Sequence, residues 1–214
     1  MFESVISESR LSLLKDLGKK KTLDNFYMAG GTAAALQIGH RRSVDFDFFG
    51  KEFDPTRLAE HLDAAYGFQV TSSGPGTLHG LIKDIKLSFL EYHYPLLKPT
   101  ICFHSIELAS LMDIALMKLI AVANRGSNKD FTDLYFICSQ LISLEDLLFE
   151  YFPRKYGHKS YSLYHIIRSL QYFDDAEQEP PLDMLVAINW DEIKAFFTRE
   201  AVDLSAKHFP DLNK

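Results

Sequence analysis

The chain has 214 residues, 47% hydrophobic and 24% charged, which is room for one large domain or two small ones around a sizeable core. Its 23 lysines and arginines against 29 acids leave a net charge of −6. That excludes a protein that coats nucleic acid through bulk positive charge, though not one with a local basic groove. Cys102 and Cys138 lack CxxC spacing, so they form no disulfide framework or zinc ribbon and read as buried thiols in a reducing compartment. No apolar h-region follows a positive start, and no apolar run approaches the roughly 18 residues of a membrane span. The expected location is the cytoplasm.

In chain order, residues 3–18 predict an amphipathic helix with Val5, Leu13, Leu14 and Leu17 on one face and Gly18 at its end. Lys19-Lys20-Lys21 reads as solvated. Phe26–Ala29 is a strand, Thr32–Ile38 a helix stopped by Gly39, and Val44–Phe49 a second strand. A helix over Thr56–Tyr66 follows Pro55. Phe68–Ser72, Leu81-Ile82 and Ile85–Tyr92 are further strands. Beyond Pro95 and Pro99 the pattern turns helical: Ile106–Ala123, Phe131–Gln140, Leu144–Tyr151, Ser162–Phe173 and Trp190–Leu204, with DDAEQEPP at 174–181 as an acidic loop. The expectation is an α+β domain over 1–100 and a helical domain over 101–214.

The chemistry concentrates in FYMAGGTAAALQIGHRRSVDFDFFG, residues 26–50. Side chains alternate along a strand, so Asp45 and Asp47 share one face while Phe46 and Phe48 anchor the other. The two α-carbons lie about 6–7 Å apart. Two carboxylates this close repel each other, and a magnesium ion relieves the repulsion, taking carboxylate oxygens and leaving its other positions to water or phosphate. Gly30 and Gly31 let backbone approach a ligand, and a helix beginning after them turns free N–H groups toward an anion, with the Thr32 hydroxyl beside them. His40, Arg41 and Arg42 offer positive charge to a polyphosphate or RNA. A glycine pair or a DxD by itself is more often structural, a turn or an edge-strand solubiliser. Strand, glycine pair, helix, basic loop, strand and DxD in this order are far more specific, and they suit nucleotidyl or phosphoryl transfer.

This stretch resembles the nucleotidyltransferase AbiEii/AbiGii toxin family of the polymerase-beta-like superfamily. Gly30, Gly31, Thr32, His40, Arg41, Ser43, Asp45 and Asp47 fall on the family's GGT…GHRxSxDxD positions. A second element, LMDIALMKLIAVANRGSNKDFTDLYFI, places Lys118, Arg125, Gly126, Lys129, Asp130, Asp133 and Leu134 on its K…RGxKDxxDL pattern. The resemblance implies a nucleotidyltransferase-type mixed sheet with flanking helices, followed by a helical C-terminal domain. It implies magnesium as cofactor, a nucleoside triphosphate as donor, and an RNA (tRNA) or protein acceptor. It also implies the toxin half of a bacterial toxin–antitoxin or phage-defence pair with a cognate antitoxin. Asp45 and Asp47 are then catalytic metal ligands, Lys118 a catalytic residue, and Gly30, Gly31, Thr32, His40, Arg41, Ser43, Lys129, Asp130 and Asp133 nucleotide-binding residues that face the phosphates. Lys118 and Lys129 contact phosphates, and Asp133 orients one of the lysines.

Spacing alone reads the second element differently. Ser127 and Asp130 fit a variant capping box, and Lys129 with Asp133 a surface ion pair; Asp130 is left between cap and site. The superfamily's third carboxylate is missing from its strand, where Ser88 stands instead and Glu91 follows three residues on, across the strand unless a bulge intervenes. A second reading is therefore a degenerate nucleotide-binding or protein-interaction module without efficient turnover. Tyr151, Phe152, Tyr156, Tyr161, Tyr164, Tyr172 and Phe173 read mainly as core, and Arg154, Lys155, His158 and Lys159 as an RNA contact or a solvated loop.

Overall fold

The computed structural model describes residues 1–20, 23–157 and 161–213. Lys21, His158 and Lys159 lie outside the described residues. The chain divides into two compact units, Met1–Ser110 and Leu111–Lys214.

The first unit is built on a seven-stranded mixed sheet in the order β3-β4-β5-β2-β1-β7-β6. The strands are β1 (Phe26–Ala29), β2 (Phe46–Gly50), β3 (Gln69–Gly74), β4 (Thr77–Ile82), β5 (Ile85–Glu91), β6 (Ile101–Phe103) and β7 (Ile106–Leu108). β1 runs antiparallel to β2 and parallel to β7, and β2 runs parallel to β5. Alternation decides which face is sealed. Phe46, Phe48, Met28, Leu87, Phe89 and Leu78 are buried on one side, and Phe48 stacks on Phe89 with ring centroids 5.3 Å apart. Each such phenylalanine contributes roughly 1.5–3 kcal/mol by leaving water. On the other side Tyr27, Asp47, Phe49 and His79 stay half-exposed.

Three helices belong to this unit: α1 (Glu8–Lys19), α2 (Gly30–Ile38) and α3 (Pro55–Tyr66). The start of the chain differs from the expected single helix. Glu3–Val5 is a 3₁₀ turn, and α1 begins only after Ser7, whose hydroxyl accepts from the Arg10 N–H. Gly18 does not end α1 but is buried inside its last turn, where an added Cβ would stand 2.1 Å from the His104 carbonyl oxygen. Gly39 does end α2, as a left-handed C-cap.

The segment Ile106–Leu108, expected as the beginning of a long helix, is instead β7. It pairs with β6 through a two-residue turn, His104-Ser105, with φ of +50° and +63°. Such a turn normally announces itself by Asn-Gly or Gly-Gly. Here no glycine marks it, and the apolar run into the next helix hides the strand.

The second unit is helical: α4 (Leu111–Arg125), α5 (Asn128–Gln140), α6 (Leu144–Asp146), α7 (Phe152–Tyr156), α8 (Leu163–Ser169), α9 (Asp174–Glu177) and α10 (Trp190–His208). A π-helical stretch, Leu147–Tyr151, joins α6 to α7. The expected helix over Leu144–Tyr151 therefore continues past its predicted end, with a widened turn just before Pro153, which lacks the N–H that a regular turn needs. Phe131 centres the core, its ring 5.1 Å from Phe173 and 5.4 Å from Phe197.

Candidate active site

The half-open sheet face carries a row of aligned polar residues. Asp47 on β2 is in register with Ala29 on β1 and with Ser88 on β5; Ser88 is in turn opposite His79 on β4. Directly paired residues share a face, so Asp47, Ser88 and His79 stand side by side at strand spacings of about 4.8 Å. Ser88 is 4% exposed. The β2–β5 register runs unbroken from Phe46–Leu87 to Gly50–Glu91. No bulge turns Glu91 inward; it stands on the opposite face from Asp47 and lies 3.6 Å from His93. The serine is therefore the residue at the third-acid position, and Glu91 is removed as its substitute.

Asp47 meets the start of α2. Gly30 has φ +71°, and a Cβ built on it would stand 2.8 Å from Asp47 Oδ2. The glycine makes room for a carboxylate at the N-terminus of a helix whose preceding residue, Ala29, supplies no side-chain cap. Helix N–H groups and their dipole favour an anion there. Gly31 occupies the first turn of α2. Asp45 precedes β2 rather than lying within it, half-buried, and its position is fixed through its backbone. The Thr32 hydroxyl donates to the Asp45 carbonyl and accepts from the Ser43 hydroxyl at 2.7 Å, because its single proton is already committed. Thr32 and Ser43, expected to contact phosphate, hold the loop that presents Asp45.

The expected cationic patch is largely interior. His40 is fully buried and Arg41 is 4% exposed, with Arg41 Nη1 donating to the Arg42 carbonyl at 3.0 Å. Arg42 is exposed and donates to the Ser4 carbonyl. The chain's beginning clamps this loop: the Ser43 N–H bonds the Val5 carbonyl at 2.9 Å, and Arg10 Nε bonds the Val44 carbonyl at 2.8 Å.

In the second unit, Lys118 of α4 lies between Asp130 Oδ1 and Asp133 Oδ2 of α5, each at 2.7 Å, with both aspartates fully buried. Arg125 Nε reaches Asp130 Oδ2 at 3.0 Å. Burial acts to push the Lys118 ammonium down, but Asp133 and Asp130 outweigh it and hold it above the usual lysine value. Burial likewise acts to raise Asp130, and Lys118 and Arg125 overcome it and hold the carboxyl below its ordinary value. Two readings from spacing are overturned. Asp130 is not the acid of a capping box, since the Ser127 hydroxyl and the Asn128 N–H both go to Glu179 at 3.0 Å. Asp133 forms its ion pair with Lys118, not on the surface with Lys129. Lys129 is half-buried and carries no hydrogen bond or ion pair among the described residues.

Elsewhere in this unit Lys155 leaves the suggested basic cluster: it is buried and bonds Asp113 at 2.8 Å. Arg154 pairs with Glu150 at 3.2 Å. Of the aromatics taken as core, Phe152 and Tyr156 are buried and Tyr172 is exposed. Cys102 is exposed and Cys138 only partly buried, which corrects their reading as buried thiols.

Among the described residues, no group of three or more His, Cys, Asp or Glu side chains is placed to hold a metal. The donor set that remains, the hard Asp47 carboxylate beside a helix N-terminus with Asp45 two residues before it in the chain, fits magnesium, which binds through one or two carboxylates and completes its shell with water and phosphate oxygens. The residue that sequence reading missed is His79. The expected strand began at Leu81, whereas β4 begins four residues earlier at Thr77, and that brings His79 into the sheet.

Among the described residues no helix is long and apolar enough to cross a membrane. Over 186 residues the chain is 39% identical to an uncharacterized protein of Aquifex aeolicus (strain VF5), covering 83% of this chain and 86% of that one. In fold it is similar to the nucleotidyltransferase toxin MenT4 of Mycobacterium tuberculosis H37Rv, with a TM-score of 0.55 over 91% of this chain and 85% of that one at 18% identity. The nucleotidyl transferase AbiEii toxins of type IV toxin–antitoxin systems match residues 12–212, nearly the whole length, and the chain belongs to that family.

Proposed function

We propose that this chain transfers a nucleoside monophosphate from a nucleoside triphosphate to a hydroxyl on an RNA, with a tRNA end as the first acceptor to test and a protein hydroxyl as the second. The setting is a bacterial cytoplasm, with the chain as the toxin opposite a cognate antitoxin. The observation that carries the reading is the Asp47 carboxylate against Gly30 at the start of α2, in line with Ser88 and His79 on one open sheet face. Asp45 and Asp47 would hold a magnesium ion, which when bound neutralises charge on the transferring phosphoryl group. The N–H groups of the first turn of α2 favour a phosphate oxygen. His79 is the base for the acceptor hydroxyl on the face where Ser88 supplies no carboxylate. Thr32 and Ser43 orient Asp45. Lys129 is the lysine of the second motif with donors to offer a phosphate, while Lys118, Asp130 and Asp133 hold α4 to α5.

The test is transfer of labelled nucleotide to total tRNA and to co-purified protein with magnesium. Asp47→Ala and Asp45→Ala each lower labelling by on the order of 10³-fold, several kcal/mol of lost charge stabilisation. Equal labelling by wild type and both variants overturns the assignment. Ser88 favours one other reading, a nucleotide-binding module without turnover. Tight nucleotide binding by calorimetry with no product on any acceptor supports that alternative.

A further inference from the structure

The charge of this protein is unevenly placed. Residues 174–192 hold seven of the 29 acidic residues and none of the 23 lysines and arginines, so outside that segment acids and bases number 22 and 23. The negative balance of the chain thus lies in one 19-residue stretch, from α9 through the irregular segment to the first turn of α10. Lys194 answers two of these acids, Glu177 at 2.8 Å and Asp191 at 3.1 Å. Glu179 is occupied in capping α5. The others, including Asp174, Asp175 and Glu192, are exposed or only partly covered.

The same stretch borders an open groove of about 800 Å³ within the second unit, between the start of α5 and the start of α10. Its floor is apolar, with Leu182, Met184, Ile188, Trp190 and Ile193, and Glu192 stands on its rim. Leu185 and Val186 continue the apolar surface outward, 42% and 44% exposed. The Trp190 indole N–H is buried and has no acceptor among the described residues. A segment that carries seven acids and no base and yet exposes Leu185 and Val186 is not arranged for solvation alone, since exposed apolar residues rimmed by one sign of charge mark a binding surface.

The geometry points to a docking groove for a cationic amphipathic helix of a protein partner. Apolar side chains at i, i+3 or i+4, and i+7 would enter the groove, and lysines or arginines would lie over the acidic rim. RNA and anionic lipid surfaces are disfavoured occupants, because their phosphates would meet the acidic rim. The residues lining this groove are not among those proposed for nucleotide transfer, and the docking reading stands whether or not that activity is found.

Trp190 is the single tryptophan of the chain, so its emission reports groove occupancy in the intact protein. The probes are an 18-residue peptide of leucine and lysine with one apolar face, the same peptide with glutamate for lysine, and total tRNA. The lysine peptide shifts Trp190 emission saturably, and the midpoint rises as salt is added. Glu192→Lys and Val186→Asp each raise that midpoint about tenfold with an unchanged circular dichroism spectrum. No shift with the lysine peptide up to about 1 mM overturns the proposal. So does an equal shift with the glutamate peptide or with tRNA, or unchanged binding in both variants.

Discussion

The Asp47 carboxylate lies against Gly30, so close that a Cβ on the glycine would stand 2.8 Å from Oδ2. The first glycine of the GGT motif thus serves a carboxylate of the DxD motif seventeen positions later. Gly30→Ala has two effects: it displaces Oδ2, and it puts an L-residue at φ +71°, at about 1–2 kcal/mol. The expected outcome is a melting temperature lower by about 2–8 °C with nucleotide transfer lost well beyond the loss of folded protein. Calorimetric melting and labelling on the same preparation check it. Full transfer in Gly30→Ala would separate Asp47 from the chemistry.

Ser88→Asp restores a carboxylate beside Asp47 at a position that is 4% exposed. Without metal the new acid is buried next to a like charge and destabilises the fold. Magnesium should recover stability as RT ln(1 + [Mg²⁺]/Kd), so the variant's melting temperature rises more steeply with magnesium than that of wild type. Identical magnesium dependence in the two proteins would show that the row is not a metal site.

His79→Gln tests the base. Transfer falls by about a hundredfold, the lower end of general-base contributions, while melting is unchanged because His79 is half-exposed. A variant with wild-type transfer returns His79 to a purely structural role.

Lys118→Met tests the buried cluster. It leaves Asp130 and Asp133 without their shared ammonium, at a cost of about 3–5 kcal/mol at neutral pH. The pH dependence has a fixed sign. Asp130 is held below its ordinary value of 3.8 in the fold, so its stabilisation is present above that value and is lost as pH falls through the folded value. Lys118 is held above 10.5, so its contribution is present below that value and is lost as pH rises through the folded value. In Lys118→Met Asp130 keeps its pair with Arg125, and protonation of the buried carboxyls relieves the remaining penalty as pH falls. The gap in stability from wild type should therefore narrow toward pH 4. Chemical denaturation at pH 7 and pH 4 measures it; an equal gap at both would place the cost in lost packing, not charge.

Much of the first unit was legible because its signals are local. Period-two alternation in VDFDFF sends Phe46 and Phe48 into the core, and glycine stops α2 at residue 39. Other elements had no local signal. The β6–β7 hairpin turns through His104-Ser105, an unusual pair for two positive φ values, and is held by α1 and the 3₁₀ turn before it: Gly18 of α1 packs on the His104 carbonyl and Glu3 of the 3₁₀ turn bonds the His104 ring at 2.7 Å.

By itself the sequence determined the family, the strand–glycine–helix–DxD order and the absence of a third acid at residue 88. These follow from residue identity and short periods. Only the tertiary structure decided that Thr32 and Ser43 brace Asp45, that Lys118 is enclosed by two aspartates, and that His79 stands in line with Asp47. Each depends on register or packing between segments far apart in sequence. A one-residue slip of β4 against β5 would turn His79 to the other face without changing a letter of the sequence.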